Sequence, residues 1–152
     1  MRLTILLSTV VLSLIIGQYS FAKDCDNHCN EEKMACYDDC RNSDDRDKCM
    51  ERCDNIDFPY CLTHCKDCTN ILLNSCREKF ENYQKCNAYK IQCRYEYICR
   101  QFDYNEDKLS TCNYGYFKCW DLFFDCLTTG KDKKICYNER QQCNNRLVDL
   151  IE

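Results

Sequence analysis

Eighteen cysteines recur along this chain, repeatedly four or seven residues apart, in a sequence with three glycines and one proline. Cys25, Cys29, Cys36 and Cys40 step by four, seven and four residues, and such steps keep side chains on one face of a helix. Cys112, Tyr116, Cys119, Phe123 and Cys126 alternate steps of four and three, a heptad seam of sulfur and aromatic groups. Cys136, Cys143, Leu147 and Leu150 continue the pattern, and Cys76, Phe80, Tyr83, Cys86, Cys93 and Tyr97 trace a looser stripe. Valine, a strong strand former, occurs after residue 22 only as Val148. The spacing predicts an all-α fold: a disulfide-rich bundle of about five to seven short helices arranged as helical hairpins. Each seam cysteine then faces a neighbouring helix, about 5–6 Å away between Cα atoms.

Residues 1–22 carry the marks of a signal peptide. Met1-Arg2 is a short positive start, Leu3 to Ile16 is an apolar run, and Tyr19-Ser20-Phe21-Ala22 offers small residues for cleavage after Ala22. The run is shorter than the roughly 18–20 residues of a spanning helix, and nothing later is apolar enough to span. The mature chain is expected to begin at Lys23 and to be secreted. All 18 cysteines follow that point, and export into an oxidising compartment turns an even number into a bridge framework. Every one is a disulfide candidate: Cys25, Cys29, Cys36, Cys40, Cys49, Cys53, Cys61, Cys65, Cys68, Cys76, Cys86, Cys93, Cys99, Cys112, Cys119, Cys126, Cys136 and Cys143. Cys61, His64, Cys65 and Cys68 would suit zinc in a reducing compartment, but export removes free thiolates, so neither metal nor cofactor is expected.

The bridges answer a thin core. Leu, Ile, Val and Phe number 21 among the 130 residues after Ala22, below the roughly 20% at which a charged chain tends to disorder. Cross-links restrict the unfolded ensemble by about 2–4 kcal/mol each, not fully additively, so reduction is expected to unfold the protein.

Helix ends are marked by capping residues. Asp24 caps a first helix running to about Arg41, and Ser43 or Asp44 a second over about 45–55. Asp57 and a first-turn Pro59 open a third. Breaks are expected near Lys66–Cys68 and Asn82–Asn87. A loop spans Asp103 to Ser110, with Ser110 or Thr111 as the next cap, Gly130 ends that helix, and Asp132 caps the last, to about Leu150. Residues 23–152 are read as a single cysteine-rich domain with two flavours. The acidic half, 23–65, carries a net charge of −6 and four Cys-x3-Cys pairs; the half 66–152 prefers Cys-x6-Cys.

Cys36-x3-Cys40-x8-Cys49-x3-Cys53 resembles the pattern of α-hairpinin peptides and of similarly built helical-hairpin toxins. The resemblance covers 18 residues. It implies two antiparallel helices with nested bridges, Cys36–Cys53 and Cys40–Cys49. Family members include protease inhibitors, antimicrobial peptides and channel blockers. The additional Cys-x3-Cys pairs on either side depart from the family and allow other pairings.

Catalytic residues are not expected. The chain has two histidines, His28 and His64, each directly before a cysteine and read as a surface residue beside a bridge. No nucleophile elbow surrounds Ser43, Ser75 or Ser110, and the CCxxHDxC helix of secreted phospholipase A2 is absent. The acidic run of Asp38, Asp39, Asp44, Asp45, Asp47 and Glu51 lacks an alternating calcium loop and reads as a solvated turn. A mature net charge of −5 with no basic stripe argues against nucleic acid. Tyr114, Tyr116, Phe117, Trp120, Leu122, Phe123 and Phe124 form the most apolar segment after residue 22; core packing is favoured for it, with Trp120 and Phe124 as a possible exposed binding patch. The expected function is a secreted, toxin-like binding protein acting on an extracellular channel, receptor or protease. The alternatives are a structural or apolar-ligand carrier protein and, third, a small secreted hydrolase.

Overall fold

A computed structural model describes residues 24–152; the expected signal peptide and its cleavage point lie outside them. The described chain is helical, with no strand among its residues, and every cysteine is bridged. The chain divides into two compact units, between Lys66 and Asp67. The division follows from the cross-links: four bridges close within residues 25–65 and five within 68–143. It also falls where the sequence changes charge and cysteine spacing.

The first unit is an antiparallel hairpin. Helix α1 covers 24–39 and tightens into a 3-10 turn at Cys40–Asn42. After a short link, α2 covers Arg46–Arg52, capped by Asp45, whose side chain accepts from the Lys48 N–H at 3.3 Å. A π turn at Cys53–Asp57 leads into α3, Phe58–Asp67. Four bridges form rungs: Cys25–Cys65, Cys29–Cys61, Cys36–Cys53 and Cys40–Cys49. The inner two are the pairs implied by the nested hairpin pattern. Buried sulfur from Cys25, Cys29, Cys61 and Cys65, flanked by Phe58 and Leu62, makes most of this unit's core.

Cysteines on α1 step by four, seven and four residues, whereas their partners, read backwards, step by four, eight and four. Eight residues of α-helix overshoot two turns by about 80°, which would swing Cys61 away from Cys29. The π turn absorbs the extra residue: the Phe58 N–H donates to the Cys53 carbonyl, five residues back. The same turn suits Pro59, which lies in the first turn of α3 as expected, with the helical backbone running on from the π turn before it. Its ring would press on the carbonyl four residues back, and the widened turn before it takes up that displacement. Asp57 is the last residue of that π turn.

The second unit opens with a π turn at Cys68–Leu72, followed by α4, Leu73–Lys79. The break expected near Lys66–Cys68 is this π turn, through which the backbone stays helical. Helix α5, Tyr83–Arg94, is capped by Asn82, which accepts from the Lys85 N–H at 2.9 Å. A 3-10 turn at Arg100–Phe102 precedes α6, Glu106–Thr128. This helix starts earlier than Ser110 because Asn105 caps it at 3.0 Å and Glu106 and Asp107 favour its positive end. Gly130, with φ of 79°, ends the turn after α6, and Asp132 caps α7, Lys133–Ile151.

Bridges Cys68–Cys93 and Cys76–Cys86 join the Cys68–Leu72 π turn and α4 to α5, and again an eight-residue step faces a seven-residue one. The Leu73 N–H reaches back to Cys68, so here too the longer side carries the π turn. Cys119–Cys143 and Cys126–Cys136 join α6 to α7 with seven facing seven, and both helices are regular. Cys99–Cys112 ties the 3-10 segment to α6. The core beneath is aromatic: the rings of Tyr89, Trp120, Phe123 and Phe124 lie 5.3–5.8 Å apart in every pairing.

Candidate binding surface

The α6 seam lies inward as its period requires: Cys112, Tyr116, Cys119, Phe123 and Cys126 are all buried. Trp120 and Phe124 are also in the core, at 1% and 0% exposure, so neither forms a surface patch. The reason is local to this unit. Tyr89 of α5 and Phe80 pack onto the stripe beside the seam, so α6 buries a broad face rather than a narrow one.

The apolar groups left outside lie on the opposite side of the helix. Leu122 is 59% exposed and Tyr114 68%. On α7, Leu150 is 85% exposed: the stripe of Cys136 and Cys143 ends at the half-buried Leu147. Leu122, Leu147 and Leu150 line one groove of about 480 Å³ between α6 and α7, with Lys118 and Arg146 at its edge. Its lining includes Gly115, where a Cβ would meet the Leu147 side chain, so glycine leaves room for that leucine.

A charged cluster also joins α6 and α7. Arg140 of α7 is fully buried and donates to both Glu96 oxygens, at 2.6 and 2.8 Å. Tyr116 and Gln92 donate to the same carboxylate, at 2.9 and 2.8 Å. The guanidinium lies 3.9 Å from the Trp120 ring centre, a cation–π contact. Burial pushes the Glu96 pKa up, but the hydrogen bonds and charge of Arg140, with Gln92 and Tyr116, outweigh it and hold the carboxyl below its ordinary value. Burial, then the neighbouring carboxylate, pushes the Tyr116 phenol up. Arg140 was visible in one respect: it falls between Cys136 and Cys143 on the α7 seam, and a charge at a seam position demands a buried partner.

In the first unit, His28 and His64 are buried at 8% and 4%, not on the surface as expected. Each precedes a rung cysteine, and so flanks the hairpin seam where the helices meet. The His64 ring stacks on Tyr60, 5.9 Å between centroids. Cys61, Cys65 and Cys68 are taken up in bridges, which leaves no thiolates for the zinc pattern read there. Within the acidic run, Asp38 pairs with Arg41 at 2.8 Å and Asp45 serves as the α2 cap.

No described helix is long and apolar enough to cross a membrane. The chain matches no protein-family profile, no curated protein and no solved structure.

Proposed function

We propose that this is a secreted, disulfide-braced helical protein that acts by binding an extracellular protein target, of the channel, receptor or protease kind. The observation that carries this reading is the groove of Leu122, Leu147 and Leu150, an exposed apolar strip on helices pinned by Cys119–Cys143 and Cys126–Cys136. A backbone pinned by bridges loses little conformational freedom on docking, which favours affinity. The lining carries both signs, Lys118 and Arg146 with Glu139, which suits a partner with charged groups around an apolar contact. The resemblance of residues 36–53 to α-hairpinin peptides supports the same reading, since inhibitors and channel blockers occur in that family.

The test is to apply the oxidised, purified protein to a panel of channels, receptors and secreted proteases. A saturable effect on one of them is expected, weakened about tenfold or more by Leu122→Glu at the groove and abolished by full reduction and alkylation. An apolar ligand released on delipidation, with no effect on any protein target, would favour a carrier instead.

A further inference from the structure

The first unit holds two bridges closer together than bracing requires. The sulfurs of Cys40 and Cys53 lie 3.7 Å apart although each is bonded elsewhere, and those of Cys36, Cys40 and Cys53 all lie within 4.8 Å of one another. Cys40 and Cys53 are fully buried, whereas their partners Cys49 and Cys36 are half-buried. The two outer sulfurs have different surroundings. Cys49 lines an open cleft of about 510 Å³ with two basic and two acidic residues, Lys48, Arg52, Asp45 and Glu51. Cys36 has the Asp57 carboxylate 3.5 Å from its sulfur.

We propose that Cys49 is a covalent modification site for a small thiol of the glutathione class, and that its modification transfers the buried bridge to Cys40–Cys53. The incoming thiolate attacks the Cys49 sulfur; a mixed disulfide forms there, the Cys40–Cys49 bond breaks, and Cys40 leaves as thiolate. Cys40 then attacks the Cys53 sulfur beside it, the Cys40–Cys53 bond forms, the Cys36–Cys53 bond breaks, and Cys36 leaves. Cys36 takes up the proton the incoming thiol gave up, and its new S–H lies within reach of the Asp57 carboxylate to donate to it. Each step exchanges one S–S bond for another, so no oxidant or reductant is consumed.

Access sets the point of entry. The cleft opens onto the Cys49 sulfur, and its basic Lys48 and Arg52 are balanced by Asp45 and Glu51. Asp57 repels a thiolate approaching Cys36 and favours the protonated product there. Entry is therefore at Cys49 and release at Cys36. The competing point of entry is Cys143, the other half-buried cysteine.

The experiment exposes the oxidised protein to reduced glutathione near pH 8, traps free thiols with N-ethylmaleimide, and maps peptides. Glutathione on Cys49, a Cys40–Cys53 bridge and maleimide on Cys36 are expected. Maleimide on Cys40 with Cys36–Cys53 intact, or first opening at Cys36 or Cys143, overturns the proposal. Cys49→Ala, checked for a helical spectrum, is expected to carry Cys40–Cys53 and a free Cys36; an intact Cys36–Cys53 with a free Cys40 overturns the transfer.

Discussion

Leu73 donates its backbone N–H to the carbonyl of Cys68, five residues back, and this bond sets the register of the first hairpin in the second unit. Cys68 and Cys76 are eight residues apart and face Cys93 and Cys86, seven apart. One extra residue held in a π turn lets both rungs close with ordinary Cα separations of 5.8 and 5.7 Å.

Deleting the exposed Asn70, inside that π turn, is therefore expected to be tolerated. The deletion converts eight facing seven into seven facing seven, the arrangement in which α6 and α7 stay regular. Both bridges should form and Tm should move by only a few degrees. The contrasting deletion is Leu122, also exposed but in a regular helix. Its loss turns Cys126 by about 100° relative to Cys119, so one bridge to α7 should fail, at a cost of roughly 2–4 kcal/mol. Disulfide mapping and thermal melts of the two variants check this. Scrambled bridges on loss of Asn70 would defeat the register argument.

The helices and their inward faces were legible because cysteine and aromatic spacing carries the helical period directly, as at Cys112, Tyr116, Cys119, Phe123 and Cys126. The π turns were not, because an eight-residue gap such as Cys53 to Cys61 looks like a lapse of that period until its seven-residue partner, Cys29 to Cys36, is known. That pairing is a long-range fact. Tyr114 and Leu122 were read with the apolar segment as a whole, since only the packing of Tyr89 and Phe80 decides which stripe of α6 remains outside. Glu96 gave no signal, because its importance comes from Arg140, which lies 44 residues further on.

Arg140→Met is expected to destabilise the second unit by about 2–4 kcal/mol, since it leaves a largely buried carboxylate without its counter-charge. Glu96 keeps 19% side-chain exposure, so water offsets part of the loss. Glu96→Gln combined with Arg140→Met should recover a substantial part of it, because no charge is then stranded. A double-mutant cycle in denaturant, with bridges intact, measures this. A double variant that falls by the sum of the single losses would argue against direct coupling.

Acid should loosen the same cluster. The folded Glu96 pKa lies below its ordinary value, so the folded state binds the proton less readily than the unfolded chain. Its stabilisation is then fully present above the unfolded value, about 4.3, and is lost as pH falls from there through the folded value. The near-ultraviolet circular dichroism of Trp120, which stacks on Arg140, should diminish over that interval while the bridges stay intact. Glu96→Gln should flatten the response, and an unchanged response in that variant would assign the transition to other carboxyl groups.

The nesting of the rungs leads to an unusual expectation for single-bridge removal. Taken alone, Cys25–Cys65 spans 40 residues and Cys40–Cys49 only nine, and loop entropy would rank them at about 3.9 and 2.6 kcal/mol. With Cys29–Cys61 in place, however, closing Cys25–Cys65 adds only a small ring of the few residues between neighbouring rungs. Its contribution should fall to about 2.5 kcal/mol, close to that of the innermost bridge. Paired Cys→Ser variants at 25 and 65 should therefore lose as much stability as variants at 40 and 49, and no more. Denaturant titration of both, without reductant, decides between the nested and isolated values, and an excess loss of more than 1 kcal/mol at the outer rung would show that the rungs do not share their loop. Full reduction removes all of these constraints together and should unfold both units.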